Sequence, residues 1–309
     1  AALREVSDTL QRTATAVWHL QRVVAKKKDP LSHVCFLDVL VPPGGRMPCA
    51  RFWDIATRAL ADAFAAVIKQ AKSGGVRDAL VAGYPKVALL LESAFDRVAA
   101  ETAVKGVLPA AGPEQLAQLM AAVAPFEKAY RAGRLQLMAE AVGAAFPGTS
   151  RSQPSPADVQ KCIGVFHEEL RATGASPHLA SVISGEAAAA LRLLARQAEL
   201  MSATGPEVRT LGAVATAAQL RNIALCSQLQ EVHRSLSGLL PRLPGAAAFL
   251  LVDALGCVHD AAVDAIAPVF KSVVDAAEEL LLRMHAADYG GGGDGSSGGG
   301  DAAAGSSDE

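Results

Sequence analysis

Histidine, cysteine and paired carboxylates are the side chains in this sequence that could do chemistry, and their spacing decides whether they converge. Glu168 and Glu169 beside His167, and Glu278 and Glu279 beside Asp275, have the composition of acid–base or metal-binding pairs. No second pair stands at ligand spacing from either, so both read as solvated helix faces. His33 with Cys35, Cys226 with His233, and Cys257 with His259 are metal half-sites by residue type. A two-residue offset on a helix points side chains apart, and only Cys226 and His233 share a face, two turns separated. The sequence contains no HExxH, GxSxG or Walker-type phosphate loop, and the glycines at 290–300 lack the flanking strand and helix that would make them a phosphate cradle. The expectation is a protein with no catalytic residue, no metal and no cofactor, acting through its surfaces.

Two features bear on those surfaces. Lys26, Lys27 and Lys28 stand where a helix dipole turns negative, which explains them as a helix end; clustered lysines also suit anionic lipid or an acidic partner. Trp18 fits core packing against the next helix, with an interface anchor as the other reading.

The elements that must position these residues are helical. Leu3, Val6, Leu10, Thr13, Val17, Leu20 and Val24 recur at steps of three and four, an apolar seam of the kind that needs a partner helix. Pro30 pushes Asp29 out of helical geometry and stops that helix. Helices are expected over 48–72, with Phe52, Ile55, Ala59, Ala63 and Val67 as the apolar stripe, and over 76–102 with a break at Gly83, Tyr84 and Pro85. Further helices are expected over 113–146 with a kink at Pro125, and from Pro156 and Pro177, each behind a serine cap. Thr216 caps the next. A last helix over 245–288 would be roughly 65 Å long, too long for a compact globule. No stretch alternates convincingly, although 34–41 could be extended, and 205–214 reads as loop. The fold class is all-α, an elongated rod of stacked helical bundles. The composition shift at 147–156 divides it into a bundle over 1–147, carrying the segment 16–41, and a second over 148–288. A Gly/Ser/Asp tail at 289–309 is expected to be disordered.

Composition narrows the function classes. Of 309 residues 51% are hydrophobic but only 5% aromatic, which suits closely packed helices. A net charge of -2 and a pI near 6.4 remove the field that nucleic-acid binding requires. Mean hydropathy is +0.25, yet uninterrupted apolar runs fall short of the roughly 18 residues a spanning helix needs, so no transmembrane segment is expected. The five cysteines are scattered without a CxxC pair and read as reduced cytosolic thiols. Residue 1 falls inside the seam, so a natural N-terminus is expected further upstream.

The run WHLQRVVAKKKDPLSHVCFLD at 18–38 resembles the signature of the family of subunit 5 of the conserved oligomeric Golgi complex, a vesicle tether. GYPK at 83–86, ETAVKGVLP at 101–109, SATGPE at 202–207 and TAAQLRNIALCSQLQEVHRSL at 216–236 continue the likeness in order. The tail and the linker at 151–156 do not share it. The resemblance implies Trp18, His19, Leu20, Arg22, Lys26, Lys27, Asp29, Pro30, Cys35, Phe36, Leu37 and Asp38 as signature positions of structural or interface character. It also implies a non-catalytic, peripheral-membrane subunit on the cytosolic face of Golgi membranes and in the cytosol, serving retrograde intra-Golgi transport and the retention of glycosylation enzymes. The implied partners are the other subunits, especially the seventh, together with SNAREs, small GTPases and golgins. A helical adaptor or a subunit of another tether would keep the fold and change the partners. An all-α enzyme of the isoprenoid synthase type would need DDxxD motifs, which are absent.

Overall fold

Prolines start most of the helices, because a first-turn residue needs no amide hydrogen and benefits from a preset φ. The computed structural model describes residues 2–70, 75–148, 153–174, 176–212 and 214–286. Within them run α1 (Ala2–Lys26), α2 (Phe36–Leu40), α3 (Pro48–Gln70), α4 (Gly75–Ala82), α5 (Tyr84–Glu101), α6 (Pro113–Ala121) and α7 (Ala124–Ala145). There follow α8 (Pro156–Ala172), α9 (Pro177–Met201), α10 (Pro206–Arg209), α11 (Ala217–Ser237), a short 3-10 turn at Leu240–Arg242, and α12 (Gly245–Ala286). Proline lies in the first turn of α3 and of α5 through α10. The fold is all-α, and among the described residues the sole β pairing is an isolated antiparallel bridge between Lys28 and Cys35.

Most expected breaks fall where the sequence places them. Pro85 separates α4 from α5 and Pro125 separates α6 from α7. Ser176 Oγ accepts from the Leu179 amide at 3.0 Å, and Thr216 and Gln219 form a reciprocal capping box at 2.9 and 3.2 Å. Ser155 makes no side-chain cap, so Pro156 alone starts α8. Two expectations need correction. The 34–41 stretch is extended only as far as Cys35 before turning into α2, and the 205–214 loop contains the single turn α10. The tail at 289–309 lies outside the described residues.

α9 is the axis of the packing. It lies along α12 on one side and α7 on another, while α11 packs on α12, and α7 also meets α8. α1 lies against α5 and α3. One continuous apolar core runs from Ala14 and Trp18 through Phe126 and Leu194 to Leu255 and Ala265. With 42 residues, α12 is about 63 Å long, exceeding the roughly 50 Å diameter of a sphere-like chain of this length. Its last turns have left the body, since every residue from 277 to 286 is exposed.

α12 bears on the membrane expectation, because by length and composition alone it is long and apolar enough to cross a bilayer. Counting uninterrupted apolar runs missed this, since isolated aspartates break the run without making the helix polar. Its inner face accounts for part of that composition. Leu251, Ala254, Leu255, Val258, Ala261 and Ala262 are buried, while Asp253, Asp260 and Asp264 are exposed on the opposite side. The outer side also carries exposed Phe249, Val252, Val263 and Phe270, so the helix is apolar beyond the face it buries.

Candidate interaction surface

The signature segment is a hairpin at the end of α1. Past Lys26 the chain bonds back on itself, with Asp29 N donating to Val34 O at 2.9 Å and Phe36 N to Lys27 O at 3.1 Å. Asp29 Oδ2 accepts from the amides of Leu31 and Ser32 at 3.2 and 2.6 Å, an Asx-turn that holds its carboxyl below the usual range. His33 closes the turn in left-handed geometry at φ 54°. Cys35 Sγ rests against the carbonyls of Val24 and Ala25 at 3.5 and 3.4 Å, tying the returning strand to the helix end.

The signature residues divide into anchors and surface. Trp18 is buried, donates from Nε1 to Leu108 O at 3.0 Å, and is flanked by His19 and by the Arg22 guanidinium 4.5 Å over its ring. Arg22, Asp29, Cys35 and Leu37 are half-buried; His19, Leu20, Lys26, Lys27, Pro30, Phe36 and Asp38 are exposed. No side chain from 25 to 47 is buried.

Beside α1 lies an apolar groove of about 560 Å³, walled by Val6, Leu10 and Thr13 of α1 and by Phe52, Ala59 and Ala63 of α3, with Leu91 among its lining residues. It exists because both apolar stripes are turned only partly inward, with Leu10 and Phe52 packing at the edge of the core. α1 buries Ser7, Ala14 and Trp18 instead of its seam, and α3 buries Trp53 and Phe64, one position on from the expected stripe. Ile55 and Leu20, expected inside, are 65% and 59% exposed. The connector 103–112 accounts for this rotation. Its carbonyls at Leu108 and Ala110 accept from the two buried indoles, Trp53 bonding at 2.7 Å, so each tryptophan fixes the phase of its helix.

The other resemblance motifs hold elements together. Tyr84 is fully buried, and its hydroxyl donates to Glu127 Oε2 at 2.8 Å, a carboxylate also 3.0 Å from His178 Nε2. Burial, reinforced by Glu127, pushes the Tyr84 phenol far upward. Thr102 donates to Val98 O and accepts from the Ala110 amide at 2.7 and 2.9 Å, turning the chain after α5. Asn222 is fully buried and makes three bonds of 2.9 Å, to the amide and carbonyl of Ala203 and to Ala265 O. With the Thr216 hydroxyl donating to Glu207 O at 2.9 Å, the 202–207 and 216–236 motifs thus interlock through two side chains.

The acid–base and metal candidates do not converge. Glu169 is buried and pairs with Arg134 at 3.0 Å while Glu168 is exposed, so the expectation of a solvated pair fails for Glu169. Its partner lies 35 positions away, outside any local pattern. Glu278, Glu279 and Asp275 are exposed, with Glu279 bonded to Arg283. His233 meets His259 with ring centroids 5.5 Å apart, rather than Cys226. His167 Nε2 lies 3.0 Å from Ser235 Oγ. The five cysteines are free, and burial pushes the Cys162 thiol up to about 12 and Cys49 to about 11. Among the described residues no three histidine, cysteine or carboxylate side chains cluster at metal-binding distance.

A sequence profile described as "Conserved oligomeric Golgi complex subunit 5, C-terminal" matches residues 1–95. A protein of Arabidopsis thaliana named conserved oligomeric Golgi complex subunit 5 is 36% identical over 92% of this chain and 34% of its own length. The Mus musculus protein of the same name is 24% identical over 94% of this chain and 38% of its own length. The chain therefore spans about a third of the curated relatives it matches. No solved structure matches it.

Proposed function

The chain belongs to the family of conserved oligomeric Golgi complex subunit 5, and from that premise we propose that it works as a non-catalytic helical part of a Golgi vesicle tether in retrograde intra-Golgi transport. Likeness along nearly the whole chain to proteins named as subunits of such a complex carries the reading. The relatives are named as subunits and not as enzymes. In this reading the partners are the other subunits, the seventh foremost, with SNAREs, small GTPases and golgins reached from the cytosolic face of the Golgi. The work is done by reach and by multiplicity, since several weak contacts on one stiff scaffold raise effective concentration by orders of magnitude.

The α1–α3 groove is the proposed seat of a subunit helix. Its walls are small alanines and aliphatic side chains along two helices, the form that accepts an amphipathic helix. The proposed division into bundles over 1–147 and 148–288 leaves the groove wholly in the first. The test is co-purification of this chain with the remaining subunits, comparing wild type with Ala59→Glu. Capture of the seventh subunit by wild type and its loss with Ala59→Glu is the expected result. Capture of no subunit overturns the tether reading, and undiminished capture by Ala59→Glu overturns the groove assignment.

A further inference from the structure

The hairpin after α1 combines three properties that the packing of the chain does not use. It has no buried side chain from 25 to 47, and none of the five residues of α2 is buried. Its large apolar side chains face water: Leu31 is 91% and Val39 71% exposed, with Phe36 and Leu40 exposed beside them. Its charge is opposite to that of the chain. Residues 19–41 carry Arg22, Lys26, Lys27 and Lys28 against Asp29 and Asp38, in a protein of net charge -2. One of those two carboxylates, that of Asp29, is already engaged by the amides of Leu31 and Ser32.

We propose that this hairpin is a direct contact with an anionic bilayer, Lys26, Lys27 and Lys28 meeting acidic headgroups while Leu31, Val39 and Leu40 enter the interfacial layer. Juxtaposed lysines and exposed aliphatic side chains are the two contributions that bind a peripheral segment to acidic lipid. Shape separates the bilayer from an acidic protein helix. A helix seats in a concave apolar trough such as the one between α1 and α3, whereas a stretch with no buried side chain, carrying exposed Leu31 in its turn and exposed Val39 and Leu40 on α2, fits a soft planar surface. The bridge from Lys28 to Cys35 and the Asx-turn hold the hairpin in this form before contact, so little ordering remains to be done on binding.

Flotation of the 309-residue chain with phosphatidylcholine vesicles, with and without about a third phosphatidylserine, tests the proposal without any other subunit, so its outcome is independent of tether membership. Flotation with the phosphatidylserine vesicles alone, abolished by high salt, is expected. Lys26→Gln/Lys27→Gln/Lys28→Gln should lower partitioning on the order of 100-fold, and Leu31→Ser/Val39→Ser should lower it at least ~10-fold. All five positions are exposed, so both variants should keep the wild-type helical spectrum and melting temperature. No flotation with phosphatidylserine, equal flotation with pure phosphatidylcholine, or undiminished flotation of the triple variant overturns it. So does capture of an acidic amphipathic peptide in place of the vesicles.

Discussion

α9 and α3 are of similar length, 25 and 23 residues, and they do opposite work. α9 buries thirteen side chains, from Leu179 to Met201, against neighbours on several sides. α3 buries only Trp53 and Phe64 among its described side chains, with Cys49, Leu60 and Ile68 half-buried at the edge of the core and most others turned toward water or the groove. The difference shows that helical periodicity alone does not say what a helix packs against. In α9 the apolar residues are the interior; in α1 and α3 the phase is fixed by two indole hydrogen bonds, and much of the aliphatic stripe is left over as surface.

Four measurements would break or sharpen that contrast. Leu194→Ala, at a fully buried α9 position, should cost about 2–5 kcal/mol of unfolding free energy, read by denaturant melts. An equal cost from Leu10→Ala in α1 would erase the distinction. Asn222→Ala removes three bonds at once and strands buried backbone groups, for an expected cost of about 2–3 kcal/mol. Ala59→Glu on the groove should change stability by no more than about 0.5 kcal/mol, and a large loss would mean that the groove is closed in solution.

The smallest effect concerns pH. Burial, with His259 beside it, lowers the His233 imidazole below its ordinary value of 6.5. The unfolded chain therefore takes up this proton first as pH falls. The contribution of neutral His233 is complete above 6.5 and is lost as the pH drops from there through the folded-state value. Melting curves of His233→Gln should show a weaker acid dependence than wild type over that window, and identical curves would remove the histidine from the account.

Local signals were legible and distant ones were not. Pro85, Pro125, Pro156 and Pro177 mark breaks and starts because proline acts within one turn of itself. Thr216 and Gln219 mark a cap for the same reason. The rotation of α1 was hidden, since it depends on Trp18 reaching a carbonyl 90 residues away. The burial of Glu169 was hidden likewise, being set by an arginine on another helix. The signature residues were found by likeness, and the structure adds the division between the Trp18 anchor and the exposed hairpin. The groove could have been suspected from the unusual run of alanines at 56, 59 and 63, which leaves room beside a helix where larger side chains would fill it.

α12 runs past the body as one uninterrupted helix, so its far end is aimed by counting. A single residue inserted between Pro268 and Ser272 would turn everything beyond it by about 100° and advance it by about 1.5 Å. The exposed leucines at 280, 281 and 282 would then point in a new direction while α9 and α11 kept their places. The length of this arm is thus an angular setting as much as a distance.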